Sequence, residues 1–129
     1  LIEYVTNPFP DAGALDDFWR RAWGGPQPAN YGQVLGRSLA HLGAMDGDRM
    51  IGFVNIAWDG GVHAFILDTA VDAAYRRRGT ASELVRRAAE LARERGATWL
   101  HVDFEPHLEG FYRACGFGPT AAGLMRLSP

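Results

Sequence analysis

Two hydrophobic periods divide this chain. Leu15, Phe18, Trp19 and Ala22 recur at helical spacing, and so do Ala81, Leu84, Val85, Ala88, Ala89 and Ala92, with Glu and Arg filling the opposite face. Between these stretches the pattern is that of strands. Ser38–Met45 and Met50–Trp58 flank the turn signal Asp46–Gly47–Asp48, and "WDGG" (Trp58 to Gly61) leads into a third strand, Val62–Val71. At the front, Ile2–Val5 reads as a short strand and Asp11–Trp23 as a helix. Gly24, Gly25, Pro26 and Pro28 then break the chain before a short helix, Tyr31–Leu35. After the long helix, Gly96 supplies a stop, "TWLHVDF" (Thr98 to Phe104) alternates like a strand, His107–Ala114 reads as a helix and Leu124–Leu127 as a last strand. The order predicts one α+β domain over residues 1–129, with an antiparallel meander followed by a strand–helix–strand crossover.

Composition narrows the function. A chain of 129 residues, 47% hydrophobic and 22% charged, holds one ordinary core. Its net charge of −2 gives no global attraction to nucleic acid or an anionic membrane, so neither is expected as a partner. The single cysteine, Cys115, cannot form an internal disulfide, which suits a reducing compartment. No apolar run approaches the roughly 20 residues of a membrane span, and no signal-peptide pattern is seen, so a cytoplasmic location is expected. Residue 1 is Leu, which points to a trimmed native start. His41, His63, His101 and His107 lie on separate elements without ligand spacing, and no metal is expected.

Against that acidic balance, "AYRRRGTASELV" (residues 74–85) gathers Arg76, Arg77 and Arg78 with Gly79 at the start of the long helix. A helix N-terminus leaves about four amides unpaired and carries partial positive charge. Gly79 and the small Ala81 would let an anionic ligand approach those amides, and guanidinium groups would border it. The competing reading is a solvated basic turn paired with Glu83 and Glu90.

The junction resembles the acetyl-CoA signature of the GNAT acetyltransferase superfamily, Gln/Arg-x-x-Gly-x-Gly/Ala, matched by Arg76, Arg77, Arg78, Gly79, Thr80 and Ala81. "LDTAVDAAYR" resembles that family's fourth strand, and "FYRACGF" (Phe111 to Phe117) its Phe/Leu-Tyr-x-x-x-Gly-Phe segment. The likeness runs from about Ser38 to Leu127. It implies a mixed sheet with helices on both faces, acetyl-CoA as cosubstrate, and direct acetyl transfer to a primary amine of a small molecule or peptide. By the same resemblance, a β-bulge and the backbone around Ala70, Val71 and Asp72 would face the thioester and pantetheine, and Tyr112 would protonate the leaving thiolate. Dimers are common in the family, so a homodimer is compatible with it. The pattern departs at Glu105, where many members carry Asn. The alternative is a GNAT-like module that binds acyl-CoA or a protein without turnover.

The base is open. By alternation His101, Asp103 and Glu105 share one strand face, and Asp68 lies on the neighbouring strand. Asp68 and Glu105 are the candidate bases, with Asp103 helping to attract an ammonium group. Tyr31 and Trp58, in a loop region and at a strand end, are the candidate walls of the acceptor pocket.

Overall fold

Local chemistry starts and stops the first helix. The Asp11 carboxylate accepts the Ala14 N–H at 2.8 Å. Helix α1 (Ala12–Trp23) then ends at Gly24, whose left-handed backbone (φ 81°) lets its N–H reach the Arg20 carbonyl at 3.0 Å. The computed structural model covers residues 1–129. A second helix, α2 (Tyr31–Arg37), follows strand β1 (Glu3–Thr6) and α1, and leads into β2 (Ala40–Asp46), β3 (Arg49–Trp58) and β4 (His63–Val71). Helix α3 (Thr80–Glu94) crosses over to β5 (Trp99–Val102), and α4 (Glu109–Ala114) comes last. The sheet order is β1-β2-β3-β4-β5, antiparallel except for the parallel pair β4–β5. This is the α+β mixed sheet that the periodicity predicts. No helix is long and apolar enough to cross a membrane.

Both helical stripes are buried as their spacing requires. Leu84, Val85, Ala88 and Ala92 of α3 join Leu42, Val54, Ile56, Ala64 and Ile66 in one cluster. Leu15, Phe18 and Trp19 of α1, with Tyr31 and Leu35 of α2, join Met50 and Phe53 in a second. Each fully buried large side chain contributes about 1.5–3 kcal/mol. Gly52 decides how closely α3 seats. A Cβ there would stand 3.1 Å from Leu84 Cδ1 and 3.2 Å from Thr80 Cγ2, so its absence lets the start of α3 lie against β3.

Two elements differ from expectation. Leu124–Leu127 is not a strand. Leu124, Met125 and Leu127 are exposed, and the segment has no ladder partner, without which an apolar pattern does not make a strand. Strand β5 is also shorter than Thr98–Phe104. Its last pair with β4 is Ile66↔Val102, after which the two strands part and Asp103–Glu105 run on without a ladder.

Candidate active site

The parting of β4 from β5 builds the site. Strand β4 continues through Leu67–Val71 with β3 on one side and no paired strand on the other. A bulge accentuates the split: Phe53 pairs with Ala70 but Asn55 with Leu67, so Asp68 and Thr69 together oppose Val54. Asp68 takes up the extra residue in a left-handed conformation, φ 57°, which a non-glycine residue adopts only at a cost of order 1–3 kcal/mol.

At the end of β4, Asp72 is buried at 3% exposure and serves the scaffold. Its carboxylate accepts the Ala74 N–H at 2.9 Å and pairs with Arg21, which also donates to the Met50 carbonyl at 3.2 Å. Burial pushes the Asp72 pKa up, but these partners outweigh it and hold the group below the usual carboxylate range. Arg76 is likewise engaged by protein, donating to the carbonyls of Val71 (3.2 Å) and Ala22 (2.9 Å). The Arg76 side chain was expected to border a cofactor, and Asp72 to face it through its backbone. Both side chains tie α1 to β4.

Arg77 and Arg78 are different. Arg77 (φ 64°) and Gly79 (φ 79°) both turn left-handed, winding the chain into α3. Neither Arg77 nor Arg78 forms an ion pair. Glu83 is taken by Arg86 (2.8 Å) and Arg87 (2.9 Å), and Glu90 by Arg86 (2.6 Å). Those hydrogen bonds hold the Glu83 carboxyl at about 2. The reading of the arginine run as a turn neutralised by Glu83 and Glu90 therefore fails. Arg78 rests over the Tyr75 ring at 5.0 Å. The first backbone bond into α3 is Glu83 N–H to Gly79 carbonyl, 3.1 Å. The amides of Thr80, Ala81 and Ser82 precede it and have no helical acceptor, and no side chain caps them. A Cβ on Gly79 would meet nothing within 4 Å, so the space before these amides is open. Unpaired amides, open space and two guanidinium groups without a carboxylate partner suit a phosphate-bearing ligand, although Arg78 also donates to the Ala74 carbonyl at 3.4 Å.

Tyr112 of α4 is 7% exposed, stacked on Phe104 at 5.0 Å and edge-on to Phe111 and Phe117. Burial raises its pKa, with the Thr69 side chain opposing in part, so the phenol keeps its proton at neutral pH. Burial also raises the Cys115 thiol, which keeps it an unreactive packing group.

On the acceptor side the structure rearranges the expected set. Tyr31 is a core residue, 4% exposed, with its ring 4.8 Å from Trp19 and its hydroxyl donating to Asp68 Oδ2 at 2.7 Å. It also lines a cleft shared with Pro10, Leu15, Gln27 and Pro28. Trp58 pairs with Ala64, on the stretch of β4 that β5 still covers and not on the split, so it leaves the set. Asp103 and Glu105 lie past the end of β5, exposed and without ion pairs or side-chain hydrogen bonds, so they share no strand face with His101. His101 instead stacks on Phe65 (4.5 Å), with Nε2 3.0 Å from His63 Nδ1. Sequence reasoning missed Asn55, Ser38, Thr69 and Arg21. Asn55, a lone amide inside the apolar strand "FVNIAW", was the one visible signal.

Comparison with known proteins adds three findings. The model of the acetyltransferase (GNAT) family matches residues 3–117. Glucosamine 6-phosphate N-acetyltransferase 1 of Oryza sativa subsp. japonica is 48% identical over 50 residues, 39% of this chain and 30% of that protein. A probable second form from the same plant is 41% identical over 58 residues, 45% of this chain and 35% of that protein. The matched segment thus spans about a third of each relative. Among solved structures, a GNAT family protein from Streptococcus pneumoniae TIGR4 superposes with a TM-score of 0.84 at 24% identity, covering 99% of this chain and 98% of that one. The aminoglycoside N-acetyltransferase AAC(6')-Iy, in complex with CoA, superposes at 0.78 and 18% identity over 99% and 95% of the two chains. Both are similarities of fold.

Proposed function

Because the chain belongs to the GNAT acetyltransferase family, we propose that it transfers the acetyl group of acetyl-CoA directly to a primary amine, with both substrates bound together. The observation that carries this reading is the split between β4 and β5, bordered by the open amides of α3 and by the Tyr112 phenol. Acetyl-CoA supplies a thioester-activated acetyl group. The amides of Thr80, Ala81 and Ser82, with Arg77 and Arg78, bind its pyrophosphate. The backbone of Ala70 and Val71, on the side of β4 that β5 has vacated, lies along the pantetheine arm and offers an N–H to the carbonyl oxygen as negative charge develops there. Tyr112 gives its proton to the departing sulfur, a role for which its raised pKa keeps it ready. Asp68 attracts the ammonium form of the acceptor and takes its proton, directly or through water. Asp103 and Glu105, exposed where the strands part, add to that attraction.

Amino sugars are the acceptor class to test first. The matched Oryza sativa relatives are named for glucosamine 6-phosphate, and one structural neighbour for aminoglycosides. Thiol release from acetyl-CoA is measured with glucosamine 6-phosphate, neamine and spermidine. Amine-dependent release that falls about 10²-fold in Tyr112→Phe supports the reading. Release no faster than background with all three amines removes it.

A further inference from the structure

Asp68 does not stand alone. Its Oδ2 receives the Tyr31 hydroxyl at 2.7 Å. An ionised carboxylate only accepts, so Tyr31 must spend its one proton there. The Tyr31 ring is itself fixed, with its centroid 4.8 Å from that of Trp19 and 6.0 Å from that of Phe53, so the hydroxyl that holds Asp68 is held in turn.

Two features make this contact more than internal satisfaction of polar groups. Tyr31 is 4% exposed, so its hydrogen bond is made in a low dielectric, where it is electrostatically stronger than in water. It also ends on a residue held at φ 57°, on the bulge that opens the split, with Oδ1 free of any protein partner. One oxygen is anchored and the other is presented.

We propose that Tyr31 is a positioning residue whose buried hydroxyl fixes the Asp68 carboxylate in one orientation for the incoming amine. This rests on the reading of Asp68 given above. It goes further in assigning acceptor binding to a side chain that does not touch the acceptor. Loss of the Tyr31 hydroxyl leaves Asp68 mobile. The cost falls on the acceptor and not on acetyl-CoA, which is held by α3.

A double-mutant cycle tests this, with acetyl-CoA and whichever of glucosamine 6-phosphate, neamine or spermidine the wild type acetylates fastest. Tyr31→Phe keeps the ring against Trp19 and removes one hydrogen bond to a charged group, so kcat/KM for the amine falls about tenfold or more. The larger part appears in KM for the amine, and CoA affinity by calorimetry stays at the wild-type value. Asp68→Asn costs at least as much. The double variant costs no more than Asp68→Asn alone, because Tyr31 acts only through Asp68. Asp68→Glu keeps a carboxylate but moves it off the Tyr31 hydroxyl, so it gives a loss of the same kind and serves if Tyr31→Phe does not fold. Additive losses, or a Tyr31→Phe loss that includes CoA affinity, assign Tyr31 to packing and overturn the proposal. Full activity in Asp68→Asn overturns the reading of Asp68, and the positioning role with it. A wild type that acetylates none of the three amines removes both.

Discussion

Nine residues apart, two arginine groups have opposite situations. Arg86 and Arg87 sit on the exposed face of α3 with Glu83 and Glu90 one turn away, and those carboxylates close on them at 2.6–2.9 Å. Arg77 and Arg78 sit just before the same helix, and no carboxylate reaches them. The difference is geometric. Helical spacing of three or four residues brings Glu83 under Arg86 and Arg87. The left-handed turns at Arg77 and Gly79 swing the junction off that helical track. Local charge counts cannot separate the groups; partner availability does. His41 extends the comparison. It is a buried basic group with no acid at all, its Nε2 accepting the Phe9 N–H at 2.9 Å and its Nδ1 without a partner. Burial lowers its pKa to about 4, so it stays neutral.

The sharpest way to break the comparison is at Gly79. Gly79→Glu places a carboxylate where the unpaired amides open, and its side chain resists φ 79°. CoA affinity measured by calorimetry should fall by about 10²-fold or more, from like-charge repulsion and a blocked approach. Unchanged affinity would put the anion site elsewhere.

Next in size is the cost of keeping His41 neutral. Its folded pKa is below the ordinary 6.5, so the unfolded chain binds the proton first. Stability is full above about pH 6.5 and is lost as pH falls toward 4, by up to about 3 kcal/mol. Urea unfolding at pH 7 and pH 4 would show this drop in the wild type. His41→Gln keeps an acceptor for Phe9 and does not titrate, so its drop should be smaller. Equal drops in the two proteins would dissociate acid sensitivity from His41.

Arg77→Ala and Arg78→Ala should each weaken CoA binding by about tenfold at low salt, and by less as salt screens the contact. A salt-independent loss would point to altered backbone instead. The smallest effect is expected at Arg86→Ala. CoA affinity should not change, and thermal unfolding should register less than about 1 kcal/mol, the worth of exposed helix pairs. A CoA effect at Arg86 as large as that at Arg78 would erase the distinction between the two groups.

The periodicities by themselves determined the sheet order's ingredients and both helical faces: Leu15, Phe18, Trp19 and Ala22 on α1, and Leu84, Val85, Ala88 and Ala92 on α3, are buried as spacing requires. Period and turn chemistry act within a few residues, so they are legible in a linear chain. So was the Arg–Gly junction, because a helix start is a local event. The tertiary structure alone decided which arginine does what. Arg76 meets the Ala22 carbonyl, 54 residues away in sequence, while Arg77 meets nothing. It also sent His101 to His63, left Leu124–Leu127 without a ladder, and ended β5 before Asp103 and Glu105 could share its face. Most of all, it brought Tyr31 and Asp68, from a helix and a strand 37 residues apart in sequence, into one hydrogen bond. Such contacts depend on sheet register and on a one-residue bulge, and a shift of a single residue in register turns a strand's side chains to the opposite face.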